Sequence, residues 1–226
     1  MRNERVIIHP NFDAAANRAT RVLIDYHVHS APIDPIPLLK RMKCCKVFTF
    51  AEMSRHIGIG REELINTFDA SDHDAITSVF TKDGVPHYIV AYNMRLPQYI
   101  IQRALARELG HIVLHHDGSK PEQIRNIEAQ CFAYHLLCPR ALIHSIQEAG
   151  VQITTEILGN ITGCYERCLV GMRKTPATSV RPHYNRMLKE QFSNYVSEFL
   201  DFQQYLTVED DSMIANFGTF MDGYEE

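Results

Sequence analysis

The sequence lacks a long apolar run, an excess of basic charge, and any repeated or low-complexity tract. Its longest uncharged apolar runs are short, such as residues 88–92, whereas a membrane-spanning helix needs about 20 apolar residues. Lys and Arg number 23 against 27 Asp and Glu, which gives a formal net charge of −4. A general nucleic-acid binder usually has a basic excess. We therefore expect no membrane partner and no direct binding of nucleic acid.

Residues 1–5 lack the apolar core of a secretory signal, so the six cysteines are expected to be reduced thiols in a cytoplasmic protein. Apolar residues make up 45% of the 226 residues and charged residues 22%. These are the proportions of a folded globular chain, and they exclude disorder as the main state. A chain of this length can bury enough surface to fold without disulfides or metal.

The spacing of apolar residues predicts a mainly helical chain with one β-hairpin. The hairpin is predicted over residues 76–93, with its turn at Lys82-Asp-Gly84. Thr49 followed by Glu52 is typical of a capping box at a helix start. The predicted helices cover residues 11–29, 37–43, 51–56, 61–68, 97–116, 121–138, 140–149, 154–173 and 184–206. We divide the chain into a domain at 1–150, a helical extension at 151–206 and an acidic tail at 207–226.

The two helices predicted within residues 51–68 have the spacing of a helix-turn-helix, a common DNA-binding unit. The second of them carries Glu62 and Glu63 rather than basic residues. The pattern therefore favours an ordinary helical pair over a DNA reader.

Two helices carry the residues that point to chemistry. Residues four apart share one face of a helix, so Arg107, His111 and His115 form one stripe, with Glu108 beside it. Glu128 lies on the next helix, which should pack against the first. Zinc peptidases build sites in this way: two histidines one turn apart and a carboxylate from a second helix hold the ion, and the intervening glutamate activates water.

Three ordered blocks, at residues 88–93, 103–115 and 128–139, resemble the ImmA/IrrE family of metallopeptidases. The resemblance implies an α+β, zincin-like fold, in which a small, mostly antiparallel sheet packs on the motif helix and a second ligand helix. It also implies a cytosolic zinc endopeptidase, and known relatives act on helix-turn-helix repressors. Carried over by position, Glu108 matches the general base, and His111 and Glu128 match zinc ligands.

The sequence departs from the family pattern at the first ligand, where Arg107 stands in place of histidine. A guanidinium is always protonated, offers only hydrogen-bond donors and cannot coordinate zinc. At ~5 Å and an effective dielectric of about 20, it would repel a divalent ion by roughly 7 kcal/mol. The resemblance implies Zn²⁺ as cofactor, and Arg107 is expected to impair or abolish its binding.

Three interpretations remain open. In the first, His115 or His135 supplies the missing nitrogen and the protein is an active zinc peptidase. In the second, the protein is a pseudopeptidase in which Arg107 forms an ion pair with Glu128 or Glu108, and which binds a peptide or repressor without cutting it. In the third, unrelated chemistry operates, although the sequence offers no serine or cysteine nucleophile with suitable partners.

The expected partner is a peptide or a protein, for example a helix-turn-helix repressor. We expect its extended segment to add to an exposed strand of the sheet by β-augmentation. The sequence suggests the second strand of the hairpin for this role, with contacts from His87, Ile89, Ala91 and Tyr92.

Overall fold

The computed structural model describes residues 9–58, 60, 63, 74–116, 118–163 and 177–205. Its fold is α+β, with many helices around a small sheet, and this confirms the expected class. The predicted helix at 61–68 apart from residue 63, the part of the predicted helix at 154–173 that covers 164–173, and the tail at 207–226 lie outside the described residues. In chain order the elements are α1 (Phe12–Asp25), α2 (Pro35–Arg41), β1 (Cys45–Thr49), α3 (Phe50–Ile57), β2 (Ala75–Lys82), β3 (Val85–Tyr92), α4 (Gln98–Val113), α5 (Glu122–Leu137), α6 (Arg140–Glu148), α7 (Thr155–Thr162), α8 (Pro182–Gln191) and α9 (residues 193–205).

Local sequence signals place several of these elements as predicted. The capping box is confirmed, because Thr49 Oγ1 accepts from the Glu52 N–H at 3.1 Å and the Glu52 carboxylate accepts from the Thr49 N–H at 2.7 Å. The hairpin is also confirmed. Its turn residues Asp83 and Gly84 have φ of 52° and 74°, the positive values that a tight hairpin turn requires.

The sheet has the strand order β1-β3-β2. β2 pairs antiparallel with β3, and β1 pairs parallel with β3, so the sheet is mixed. β3 is therefore the central described strand, with both of its edges paired. This arrangement decides which strand can receive a peptide.

The core lies where α4 and α5 pack together against α1 and one face of the sheet. Leu105 and Leu109 on α4 and Phe132 and Leu136 on α5 are almost fully buried. The two helices approach closely at Gly110, where a Cβ atom would lie 3.0 Å from Phe132 Cδ1 and 3.1 Å from the Ala129 carbonyl oxygen. Glycine at this position therefore lets α4 and α5 come close enough for their polar residues to meet.

The helices near the C-terminus pack on the same core. Leu188 on α8, together with Phe192 and Val196, belongs to the main buried cluster. The helix predicted over 184–206 is interrupted at Phe192, which separates α8 from α9. None of the described helices has the length and apolar character needed to cross a bilayer.

Candidate functional site

A cavity of about 590 Å³ lies between the β2–β3 hairpin, α4 and the first half of α5. Its wall combines strand residues, the polar face of α4 and one arginine of α5. The lining residues are Thr77, Val79, Thr81, Pro86, Tyr88, Glu108, His111, Ile112, His115, His116 and Arg125.

Glu108 is held at the wall of this cavity by groups that include Thr77 and Arg107. Its side chain is only 7% exposed, and one carboxylate oxygen accepts a hydrogen bond from Thr77 Oγ1 at 2.7 Å. The other oxygen lies 3.4 Å from Arg107 Nη2. Arg107 thus pairs with Glu108, one of the two partners expected for it. Arg107 does not line the main cavity; it lies at a separate cavity of about 180 Å³.

Glu128 on α5 is almost fully buried and accepts four hydrogen bonds. Its Oε1 accepts from the backbone N–H of Asn11 at 2.7 Å, and its Oε2 lies 3.0 Å from His116 Nε2. Lys120 Nζ donates to both oxygens, at 2.7 and 2.8 Å. The Glu128 side chain is 2% exposed and the Lys120 side chain 38% exposed, so a half-buried ammonium neutralises a buried carboxylate.

A chain of hydrogen bonds connects Glu128 to His111. His116 lies between them, with its Nε2 toward Glu128 and its Nδ1 3.0 Å from His111 Nδ1. A carboxylate only accepts, so in neutral His116 the proton is assigned to Nε2 and Nδ1 is the acceptor. His111 then donates from Nδ1, and its Nε2 keeps a lone pair. His111 lines the cavity, so this assignment leaves one basic nitrogen on a cavity residue.

The pKa shifts agree with this assignment. Burial lowers the pKa of His111 to about 4, and the neighbouring His116 and the positive charges of Arg107 and Arg125 act in the same direction. Burial also lowers the pKa of His116, and outweighs the opposite effect of Glu128. Both imidazoles are therefore neutral near pH 7.

Glu128 is ionised at the same pH. Burial tends to raise the pKa of its carboxyl group, but the hydrogen bonds from Lys120, from the Asn11 N–H and from His116 together lower it. The carboxylate is thus negative, buried and saturated by its own protein's donors.

Of the residues singled out in the sequence, the structure brings Glu108 and His111 into one cavity and joins Glu128 to them through His116. His115 lines the cavity and is exposed. His135 is buried, and its Nε2 lies 2.9 Å from Thr178 Oγ1.

Sequence reasoning missed His116, Lys120 and Asn11. His116 is five residues from His111 and lies just beyond the end of α4, where helical spacing no longer applies. Lys120 and Asn11 belong to segments that precede α5 and α1, and they meet Glu128 only through tertiary packing. The only sequence signal for His116 was that it directly follows His115, which had been singled out as a possible metal ligand.

The substrate contacts expected on β3 need correction. β3 pairs with β1 and β2 on its two sides, so its backbone is not free to add another strand. Side chains alternate between the faces of a strand, and Tyr88 lines the cavity, so His87, Ile89 and Ala91 point to the opposite face.

On that opposite face His87 stacks on Phe80, and Ala91 packs with Phe50 and Met53. Tyr92, at the end of β3, packs against the main core. The four residues therefore do not form a peptide-binding edge beside Glu108 and His111.

The donor set does not fit a zinc ion held as the family resemblance implies. Within the part of the chain that the structure describes, no group of three or more His, Cys, Asp or Glu side chains is placed to hold a metal. Arg107 has only donors, and the Glu128 oxygens are occupied by Lys120, His116 and Asn11. Of the three positions expected around the metal, only His111 offers a donor atom, Nε2, that none of the described residues engages in a hydrogen bond.

Residues 62–162 match the family model Peptidase_M78, the IrrE N-terminal-like domain. The matched segment is slightly under half of the chain and contains Glu108, His111, Lys120 and Glu128. It supports a likeness to the ImmA/IrrE metallopeptidases, as the three sequence blocks suggested. No curated protein and no solved structure is significantly similar to the chain.

Proposed function

We propose that this chain is a metallopeptidase-like protein that binds an extended peptide in the cavity beside β2 and does not cut it by zinc chemistry. The observation that carries the proposal is the saturation of Glu128. A carboxylate that accepts two hydrogen bonds from Lys120, one from His116 and one from Asn11 has no oxygen left for an ion. The ammonium of Lys120 supplies the positive charge that a metal would bring.

The peptide would add to β2 rather than to β3. Because the Asn93 N–H bonds to the Asp74 carbonyl, the register makes Ile76, Ser78 and Phe80 the residues that exchange backbone hydrogen bonds with β3. The backbone N–H and C=O groups of Thr77, Val79 and Thr81 therefore point to the outer edge. The side chains of these three residues line the cavity, so one strand offers both backbone and side-chain contacts.

Exposure along β2 supports the same conclusion. Val79 is 61% exposed and Phe80 47% exposed. Apolar side chains on an edge strand are unusual in proteins that keep their edges unpaired, because such an edge invites another chain to pair. We infer a cytoplasmic regulatory protein as the source of the peptide, for example a helix-turn-helix repressor, on the strength of the family likeness.

The metal part of the proposal is tested by zinc content in a series of variants. Four proteins are compared: the wild type, Arg107→His, Lys120→Ala and the double variant. Each is equilibrated with zinc, unbound zinc is removed, and the remaining zinc per chain is measured. Restoring one nitrogen in Arg107→His leaves Glu128 bound to Lys120, so we expect zinc uptake only in the double variant. His111→Ala in that background is the control, and should abolish the uptake. Stoichiometric zinc in the wild-type protein would refute the proposal.

The peptide part is tested with random peptides selected from a display library on the immobilised full chain. We expect the selected peptides to slow amide hydrogen exchange in β2 and to remain intact by mass spectrometry. Val79→Pro removes an outward N–H without breaking a bond to β3 and should abolish binding, whereas Val79→Thr keeps the N–H and should retain it. Equal binding by both variants would contradict augmentation at β2, and cleavage of the peptides would support the active enzyme.

A further inference from the structure

Arg125, on α5, is a charged residue of the cavity whose role is explained neither by the family likeness nor by the proposed binding of a peptide at β2. It lines the cavity together with His111 and His116. Its Nε atom is buried and has no hydrogen-bond partner within the described residues. A buried donor that lacks an acceptor is unfavourable until an acceptor is supplied, so its position favours a ligand.

The acids near Arg125 are already engaged by other groups. Glu128 is bound by Lys120, and Glu108 accepts from Thr77 and pairs with Arg107. His111 and His116 are neutral near pH 7, because burial lowers the pKa of both imidazoles. Arg125 therefore brings a positive charge to the cavity, and no described Asp or Glu forms a hydrogen bond or an ion pair with it.

We propose that Arg125 binds a carboxylate of the peptide, either its C-terminus or an Asp or Glu side chain. This inference rests on the proposed function, since it names the chemical class of the peptide bound beside β2. The planar guanidinium matches a carboxylate with two parallel hydrogen bonds. A singly charged group suits the site better than a phosphate, because Glu108 lines the same cavity and repels a dianion.

The edge of β2 and Arg125 act on different parts of the same ligand. The outward N–H and C=O groups of Thr77, Val79 and Thr81 bind backbone and carry no preference for charge. Arg125 supplies the preference, and so fixes which residue of the peptide lies at the α5 end of the cavity. Loss of Arg125 should therefore change selectivity more than overall peptide binding.

The test uses two pairs of synthetic peptides that differ only in charge. In the first pair, N-acetyl-Val-Thr-Val-Ala has either a free C-terminal carboxylate or an amide; in the second, an amidated N-acetyl-Val-Xaa-Val-Thr has either Asp or Asn at Xaa. Binding to the full chain is followed by nitrogen–proton NMR. The Arg125 Nε–H signal is identified by its absence in Arg125→Lys.

We expect one of the two acidic peptides to bind about tenfold more tightly than its neutral twin and to shift the Arg125 signal saturably. The pair that shows the preference identifies the source of the carboxylate. Arg125→Gln should abolish the preference while the neutral twin still binds. Arg103→Gln is the matched control, because Arg103 faces a separate cavity and pairs with Asp74 at 3.6 Å, and it should keep the preference.

Equal affinity of acidic and neutral twins for the wild-type protein would overturn the inference, and so would a preference that survives in Arg125→Gln. If Arg125→Gln does not fold, Arg125→Lys serves, because it keeps the charge and loses the two-pronged geometry, and it should weaken the preference. If no peptide shifts the β2 amides, augmentation at β2 fails. In that case Arg125 is tested separately by adding sodium N-acetylalaninate or, as the neutral control, N-acetylalaninamide. A shift of the Arg125 Nε–H signal with the carboxylate and not with the amide supports the site. No shift with the carboxylate overturns it.

Discussion

Replacing Lys120 by methionine tests the claim that its ammonium is the cation of the buried site. The substitution keeps most of the apolar side chain and removes the two hydrogen bonds to Glu128, at 2.7 and 2.8 Å. The Glu128 carboxylate, 2% exposed, is left with His116 and the Asn11 N–H as partners. Breaking a buried ion pair by removing one partner costs about 3–5 kcal/mol.

The expected cost at pH 8 is smaller than that, about 2 kcal/mol, because Lys120 is 38% exposed and two donors remain on Glu128. For a chain of this size such a loss lowers the melting temperature by roughly 4–8 °C. The assay is urea unfolding followed by circular dichroism, with the free energies of unfolding of wild type and variant compared.

Lys189→Met provides a matched control. Lys189 makes the same two-pronged contact with Glu148, at 2.6 and 2.7 Å, but the Glu148 side chain is 64% exposed. Water replaces the lost partner of an exposed carboxylate, so the control should unfold like the wild type. Equal destabilisation by the two substitutions would show that burial of Glu128 is not what makes Lys120 important.

The effect of Lys120→Met should also depend on pH. The positive charge of Lys120 contributes to the lowered pKa of His116, so this pKa should rise in the variant. Protonated His116 then replaces the lost cation beside Glu128. The stability difference between wild type and variant should therefore shrink as the pH falls from 8 toward 5.5, and a difference independent of pH would refute this reasoning.

Two further predictions follow from buried groups. Burial lowers the pKa of both His111 and His135 to about 4, so the unfolded chain binds more protons below pH 6.5, and each residue should reduce the free energy of unfolding by about 2 kcal/mol between pH 7.5 and pH 5. His135→Gln should remove its own share, about half of the combined loss from His111 and His135, in urea unfolding, and an unchanged loss would contradict burial as the cause. Gly110→Ala would bring a Cβ within 3.0–3.2 Å of Phe132 and Ala129, and should cost about 1–3 kcal/mol by the same assay; a variant as stable as the wild type would show that α4 and α5 adjust.

Features set by neighbouring residues could be predicted from the sequence. The capping box of Thr49 and Glu52 depends on two residues three apart, and the hairpin turn at Asp83 and Gly84 depends on local backbone preference. The packing of α4 against α5, which brings His111 and Glu128 to one region, followed from the spacing of apolar and polar residues, whereas the position of His116 between them did not.

Features set by distant residues could not be predicted. The apolar alternation of β3 is the same whether the strand is central or at an edge, and only the parallel pairing with β1 decides between the two. The occupation of Glu128 by Lys120 and Asn11 likewise depends on how the segments before α5 and α1 fold over the carboxylate. Charge pattern along the chain carries no record of such contacts.

The zinc content of the wild-type chain, after equilibration with zinc and removal of the excess, tests the central claim most directly. With Glu128 held by Lys120 and with Arg107 at the expected ligand position, we predict no stoichiometric metal. One zinc ion per chain, lost on His111→Ala, would contradict the claim and would show that Lys120 yields its place to the ion.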